Sequence, residues 1–281
     1  MAVWTFARLT LREASRNRLI ALAGGLTALF VIFMAWGVHK LDVATSANAG
    51  QGALEHAVGM AAIDLLAFFV ASFMIAVLAV FIPGASTRSD ADSGLLQGVL
   101  ARPVRRIDLL AGKWLGSAVL LLLYVVLLSF GIAGVVWVAS GYLPAQLLGA
   151  DALLLLEGLV MLTLRLLFGT FLGSMPSGIL PLMLYGLAWM GGLVETVGQQ
   201  LNVGSLVTAG IVSSLLVPTD ILWRGASYFL EPANVAIALQ ATRGVPFLSS
   251  SPIATPMVAW ALIYVIALFF AGAAIMSRRD V

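Results

Sequence analysis

The chain contains no cysteine and only two histidines among its 281 residues. The first absence excludes disulfides, thiolate catalysis and cysteine-ligated metals, and two histidines leave little for a transition-metal site. Charge is also scarce, at 10% of residues, whereas a soluble domain carries roughly a quarter. Hydrophobic residues instead make up 61% of the chain. A water-soluble fold could not cover so much apolar surface, so the composition predicts an all-α integral membrane protein.

Apolar runs long enough to cross a bilayer occur six times. Each has about the 20 mostly apolar residues that a spanning helix needs. We therefore expect one transmembrane domain, residues 1–281, with spans near 19–38, 60–83, 114–138, 149–172, 178–197 and 256–276.

A seventh apolar run, residues 203–217, is shorter and interrupted by glycine and serine. Pro218 follows it directly, and proline cannot continue a helix. We interpret this run as a re-entrant or interfacial segment, with a seventh span as the alternative.

Orientation follows from the basic residues of the short loops. With six spans and the N-terminus inside, the predicted cytoplasmic side holds Arg8, Arg12, Arg16, Arg18, Arg88, Arg102, Arg105, Arg106, Lys113, Arg278 and Arg279, and the other side holds Lys40, Arg224 and Arg243. This bias predicts that both termini are cytoplasmic. It also disfavours a seventh span, which would move the C-terminus outside.

Residues 2–18 have the pattern of an amphipathic interfacial helix. Their apolar arc consists of Val3, Trp4, Ala7, Leu11 and Ala14, and a basic stripe of Arg8, Arg12 and Arg16 lies beside it. Such a helix lies in the headgroup plane with its basic side toward anionic lipid. The stripe can equally serve only to fix the topology.

The connection between the second and third spans, residues 84–113, is the longest on the predicted cytoplasmic side. Asp92 or Ser93 can cap a short helix over residues 94–101, and Pro103 ends it. Its apolar face consists of Leu95, Leu96, Val99 and Leu100. This face can rest on the bilayer or fit a groove on a soluble partner.

The same stretch resembles the signature region of ABC-2 type permeases, the membrane subunits of ATP-binding-cassette transporters. The matching positions are Asp92, Ser93, Gly94, Leu96, Leu100, Arg102, Pro103, Arg106, Leu109, Leu110, Gly112 and Lys113. The arginine-rich N-terminus and the closing Ser277-Arg278-Arg279-Asp280 are similar to that family as well. The run from Pro218 to Arg224 is similar to a segment of the subgroup that includes the permease of nitrous-oxide-reductase copper-site maturation.

The resemblance implies a permease subunit that works as a dimer, most often in export, in the plasma membrane of a prokaryote. The loop would dock a separate ATPase subunit as a coupling helix, through Asp92, Gly94, Leu95, Leu96, Val99, Leu100, Arg102, Pro103, Arg105 and Arg106. The expected surroundings are that ATPase, a second permease copy, the lipid bilayer and an extracytoplasmic accessory protein. No nucleic-acid partner is expected.

The chain lacks a phosphate-binding loop of its own. Gly112-Lys113 is followed by Trp114, and Ile107 stands where the earlier glycine of that loop would be. We therefore expect no ATPase site, no other catalytic site and no cofactor in this chain. ATP would be bound by the partner subunit. A metal site at His39, Glu55 and His56 is also not expected.

Three charged residues inside the predicted spans are candidates for a translocation pathway or for contacts between two copies: Asp64, Glu157 and Arg165. Charges in a membrane usually face a protein interior or a wet route. The alternative is that each is buried against a neighbouring helix. Two further functions stay open from the residues alone: an ion-coupled secondary transporter, and a membrane assembly protein that transports nothing.

Overall fold

The computed structural model describes residues 2–16, 18–47, 53–84, 106–141, 143–144, 146–230 and 252–278. Within these ranges every regular element is an α-helix. The helices are α1 (Ala2–Arg16), α2 (Arg18–Ala47), α3 (Ala53–Phe81), α4 (Arg106–Ser140), α5 (Leu147–Gly169), α6 (Ser174–Leu201), α7 (Gly204–Leu216), α8 (Thr219–Leu230) and α9 (Thr255–Ser277).

Six of these helices are long and apolar enough to cross a membrane, which confirms the predicted all-α fold with six spans. The candidate spans are Ala21–Lys40, Gly59–Phe81, Ile107–Val138, Leu147–Gly169, Ser174–Leu201 and Thr255–Ser277. The third starts earlier than expected, because α4 begins at Arg106. Asp108 in its first turn favours that start, since a negative charge interacts well with a helix N-terminus. Arg106 therefore belongs to a helix and not to the loop in which the sequence analysis placed it.

Helix α5 lies at the centre of the bundle. It packs against α3, α4, α6, α8 and α9, and most of its residues are buried. Gly158 permits this packing, because a Cβ atom there would lie 2.8 Å from Leu121 and 3.0 Å from Ile75. Because most of this helix is buried, its polar residues must find partners inside the protein.

Helices α7 and α8 form a bent pair with an angle of 96° at the break around Pro218. The pair starts at the C-terminal end of α6, where the backbone N–H of Val203 bonds the Gly198 carbonyl at 2.9 Å. It returns to the N-terminal end of α5, where the Gln146 N–H bonds the Phe229 carbonyl at 3.0 Å. Because α5 and α6 are consecutive antiparallel helices, those two ends lie on the same side. The pair therefore begins and ends at the same end of the bundle, as a re-entrant segment does, and we call it the re-entrant pair.

The opposite end of the bundle, here called the coupling end, gathers three parts of the chain. The last turn of α3 lies there, beside the C-terminal half of α5. Helix α1 packs on the start of α4 at Gly116. The end of α9 joins them, because a Cβ atom at Gly272 would lie 3.6 Å from Leu110 and 3.7 Å from Leu167. Helix α1, the end of α9 and the two helix ends that flank the connection 85–105 are thus on one side, and the re-entrant pair is on the other.

Candidate functional site

The predicted coupling helix, residues 94–101, lies outside the described residues. The same holds for most of the residues to which the resemblance assigned a docking role: Asp92, Gly94, Leu95, Leu96, Val99, Leu100, Arg102, Pro103 and Arg105. The structure does describe both flanks of this connection. They show how a movement of the loop would reach the spans.

The first flank is the end of α3, which is held by Arg165 of α5. The guanidinium is buried, with 4% of Arg165 exposed. Its Nε donates to the Val80 carbonyl at 3.2 Å, and its Nη2 donates to the Gly84 carbonyl at 2.9 Å. Its Nη1 donates to the Ser177 hydroxyl in the first turn of α6. The final carbonyls of a helix lack partners within the helix, so one cation here satisfies α3 and joins it to α5 and α6.

Gly84 itself marks where α3 stops. Its φ of 67° lies in the left-handed region, which glycine adopts without the steric cost that a Cβ atom brings. The helix thus ends in a defined turn, and the carbonyl of that turn is the one that Arg165 Nη2 binds. The departure point of the loop is therefore a fixed position in the structure.

The second flank is the start of α4, which packs on α1. A Cβ atom at Gly116 would lie 2.8 Å from the Ala7 carbonyl oxygen and 2.9 Å from the Thr10 side chain. Ala7 and Thr10 are buried, at 5% exposure each. Trp4, which we expected on the same apolar arc as Ala7, is 74% exposed. Trp4 therefore takes no part in the contact with α4.

The basic stripe of α1 is described only in part. Arg8 is exposed, as expected for a residue that faces headgroups or water. The side chains of Arg12 and Arg16 lie outside the described part of the chain.

A second polar region lies around Glu157, near the middle of α5. Glu157 is fully buried, and its Oε1 accepts a 2.8 Å hydrogen bond from the Ser72 hydroxyl of α3. The Tyr185 hydroxyl of α6 lies 3.2 Å from the Ser72 oxygen and also reaches the Glu157 carboxyl. Among the described residues, Glu157 Oε2 has no hydrogen-bond partner.

A small cavity adjoins this carboxyl, between α3, α5, α6 and α8. The space open to the centre of a water molecule is about 10 Å³. We call it the polar cavity, and it is lined by Phe69, Glu157, Tyr185, Trp189, Thr219, Asp220 and Trp223.

Beyond the polar cavity, an ion-pair cluster joins α8 to α6. Arg224 Nε lies 2.8 Å from Asp220 Oδ2, one turn earlier on α8, and Arg224 Nη1 lies 3.9 Å from Glu195. Arg224 Nη2 also donates to the Gly192 carbonyl and, at 3.3 Å, to the Thr196 hydroxyl. The cluster thus fixes the second half of the re-entrant pair on the adjoining span.

The three predicted pathway residues do not meet at one site. Arg165 lies eight residues after Glu157 on α5, which is about 12 Å along a helix, and each has its own partners. Asp64 precedes Ser72 by the same spacing on α3. It is buried, and neither of its carboxylate oxygens has a hydrogen-bond partner among the described residues.

Sequence reasoning did not single out Ser72 or Tyr185, and Thr219 entered only within the run from Pro218 to Arg224. Each is an ordinary polar residue in an apolar run, so only the packing of four helices gives it a role. Asp220 was noted only as part of a resemblance, and Arg224 only there and among the basic residues that set the orientation. Their spacing of four residues on a helix predicts an ion pair, and this signal could have been read from the sequence.

In the described ranges, no three histidine or carboxylate side chains are grouped so that they could hold a metal ion. The arrangement is that of a polytopic membrane protein, with a polar centre in its bundle and a re-entrant pair at one end. Residues 4–215 match the family model described as "ABC-2 family transporter protein". The chain therefore belongs to the ABC-2 transporter family, and it is a permease-type membrane subunit. No curated protein matches the sequence at the level that would count as a relative.

Proposed function

We propose that this protein is the membrane-spanning subunit of an ABC exporter that a separate ATPase subunit energises. The observation that carries the proposal is the family match over residues 4–215. This range includes five of the six candidate spans and the whole connection 85–105. The export direction, the ATPase partner, a homodimeric assembly and an extracytoplasmic accessory protein are parts of the proposal.

The flanks of the connection 85–105 supply the physical route for coupling. A load on a short docked helix moves the spans only if both ends of its loop are attached to rigid parts. Gly84 is attached to α5 and α6 through Arg165. At the other end, α4 is attached to α1 by the close contact at Gly116. A push from an ATPase would therefore reach the central helix α5 directly.

Helix α4 has a further link to the centre. The Trp114 indole N–H donates to the Thr163 hydroxyl of α5 at 2.9 Å. Thr163 lies two residues before Arg165 on the same helix. The two flanks of the loop thus converge on one segment of α5, so that both can drive it together.

The test is purification of the affinity-tagged full chain from native membranes, with assay of the bound fraction for a Walker-motif ATPase and for ATP hydrolysis. We expect such an ATPase subunit to co-purify with the wild-type chain. Leu96→Asp together with Leu100→Asp, on the predicted docking face, should reduce the recovered ATPase at least tenfold, because two charges would enter an apolar contact.

The matched control is Leu143→Asp, which adds the same charge at an exposed position between α4 and α5, away from the coupling end. This variant should retain the ATPase. The proposal fails if wild-type preparations contain no ATPase, or if the docking-face and control variants behave alike.

Orientation in the membrane is part of the same proposal. We place the coupling end in the cytoplasm of a prokaryotic cell, and both termini with it. The basic residues of the predicted cytoplasmic side support this placement. It also puts the re-entrant pair on the extracytoplasmic side, where an accessory protein could bind.

Helix α2 offers a surface on which a dimer could assemble. Its main packing partners among the described elements are α1, α3 and α4, and it exposes a broad apolar surface. The exposed side chains are Leu22, Leu26, Leu29, Ile32, Phe33 and Trp36. Lipid covers such a surface as well as a second copy does, so the deciding measurement is the mass of the purified protein in nanodiscs.

An ion-coupled secondary transporter is the second candidate function. The re-entrant pair and the buried carboxyl groups of Asp64 and Glu157 favour it, because such transporters bind ions at broken helices near the membrane centre. Reconstituted vesicles separate the two mechanisms. Uptake that follows an imposed ion gradient without ATP would support the second candidate and contradict the first.

A further inference from the structure

The buried polar cavity beside Glu157 has two properties that point to an occupant. It lies between four helices of the bundle, and polar atoms on its wall have no hydrogen-bond partner among the described residues. These are Glu157 Oε2 on α5 and Thr219 Oγ1 on α8. The two residues are 0% and 1% exposed. Buried polar atoms in folded proteins are nearly always hydrogen-bonded, to protein or to ordered water.

The size of the space selects the occupant. About 10 Å³ is open to the centre of a water molecule, which is close to the minimum that holds one water and too little for a larger ligand. A buried water also needs two to four polar partners. Glu157 Oε2, the Thr219 hydroxyl and the Asp220 carboxylate all line the space.

The hydrogen-bonding character of the wall fits water as well. Glu157 Oε2 and Asp220 accept hydrogen bonds, whereas the Thr219 hydroxyl both donates and accepts. Water can donate twice and accept at the same time. A purely apolar guest could not satisfy any of these atoms.

We propose that the polar cavity binds one water molecule that bridges Glu157 of α5 to Thr219 and Asp220 of α8. The water donates to Glu157 Oε2 and to the Asp220 carboxylate, and it accepts from the Thr219 hydroxyl. The water thereby connects the central helix α5 to α8, the second half of the re-entrant pair, by hydrogen bonds.

The site does not depend on the transport function proposed above. It can therefore be tested on the purified full chain in lipid nanodiscs. The first experiment is a double-mutant cycle in thermal unfolding, with Glu157→Gln, Thr219→Val and both together. Because the two side chains share no direct hydrogen bond, a bridging water predicts that the melting-temperature losses are not additive: the second change should cost less than it does alone.

The control cycle pairs Glu157→Gln with Thr163→Val. Thr163 is buried on the same helix, but its hydroxyl accepts a hydrogen bond from the Trp114 indole and does not line the cavity. These two losses should add. Additive losses in both cycles would overturn the proposal.

A second experiment covers the case in which a variant does not fold. An experimental structure of the wild type, at a resolution that shows ordered water, should contain one density peak within hydrogen-bonding distance of Glu157 Oε2 and Thr219 Oγ1. An empty cavity, or a Glu157 carboxyl that has turned to a protein partner, would contradict the proposal.

A salt comparison distinguishes water from a metal cation at the same oxygen atoms. Melting temperatures in sodium chloride and in choline chloride should agree within error for the wild type and for Glu157→Gln. A sodium-specific rise in the wild type that Glu157→Gln abolishes would assign the cavity to a cation and overturn the assignment to water.

Discussion

Arg165 of α5 donates a hydrogen bond from Nη2 to the carbonyl oxygen of Gly84, at 2.9 Å. The residue after Gly84 is the first of the connection 85–105, so the central helix of the bundle holds the point where that connection leaves the membrane domain. An arginine in a transmembrane helix is costly unless its charge is satisfied. Here Val80, Gly84 and Ser177 supply the acceptors.

Replacing Arg165 by Met should destabilise the protein by about 2–4 kcal/mol. The change leaves the Val80 and Gly84 carbonyls without their charged donor, and hydrogen bonds to charged groups contribute about 1.5–3 kcal/mol each. Thermal unfolding in nanodiscs measures the loss. Arg8→Met, at an exposed position on α1, is the control and should change stability by less than about 0.5 kcal/mol. Equal losses for the two variants would show that the Arg165 contacts carry no stability.

Arg165→Lys separates stability from coupling. Lysine keeps the charge but cannot present the planar set of donors that reaches three acceptors. We expect the ATPase subunit to co-purify as with the wild type, while transport per ATP hydrolysed falls severalfold in proteoliposomes. An unchanged ratio of transport to ATP hydrolysis would mean that the hydrogen bond from Arg165 to Gly84 does not transmit movement.

The contact between α1 and α4 predicts opposite effects for two glycines of α4. Gly116→Ala would place a Cβ atom 2.8 Å from the Ala7 carbonyl oxygen, so α1 must move away and its amide hydrogens should exchange faster. Gly134→Ala meets nothing within 4 Å. It should stabilise the helix by up to about 1 kcal/mol, because alanine has the higher helix propensity. Hydrogen-exchange mass spectrometry and thermal unfolding check both outcomes, and slow exchange of α1 in Gly116→Ala would contradict the packing.

The ion pair of Arg224 and Asp220 predicts how the re-entrant pair is held. Arg224→Gln should speed hydrogen exchange in α7 and α8 and cost about 3–5 kcal/mol, since it leaves Asp220 buried without its cation. Glu195→Gln should cost less than about 1 kcal/mol. That carboxylate lies 3.9 Å from Arg224 and is partly exposed, where ion pairs contribute little. The reverse order of the two losses would contradict the arrangement.

The absence of native cysteine allows a clean test of orientation. Leu143→Cys lies at the end that carries the re-entrant pair, and Ser277→Cys lies at the coupling end. Both wild-type side chains are exposed. A membrane-impermeant maleimide should label the first in intact cells and the second only after permeabilisation. Labelling of Ser277→Cys in intact cells would reverse the proposed orientation.

The number of spans could be predicted because it depends on local composition. A run of about 20 apolar residues is most stable as a helix that spans the bilayer. The same reasoning placed the break at Pro218, where α7 ends and α8 begins. The start of α4 was missed because the apolar residues around Ile107 do not look like a span until the helix is known to continue through Lys113.

Direct pairing of Glu157 with Arg165 could be excluded from their spacing on one helix, but their actual partners could not be derived. Ser72 and Tyr185 come from helices 85 residues earlier and 28 residues later in the chain. Ser177 becomes a partner of Arg165 only because α6 turns back against α5. Such contacts depend on how helices rotate and cross, and periodicity within a single helix does not fix this.

The sequence by itself determined that the chain is an integral membrane protein, that it has six candidate spans and that helix α1 precedes the first of them. These properties follow from hydrophobicity and helical periodicity, which act over short stretches of chain. Only the tertiary structure decided that α5 is central, that Arg165 holds the end of α3, and that α7–α8 turns back to leave a water-sized space beside Glu157. These properties depend on close packing between distant segments, where a single glycine such as Gly116 or Gly158 sets which surfaces can meet.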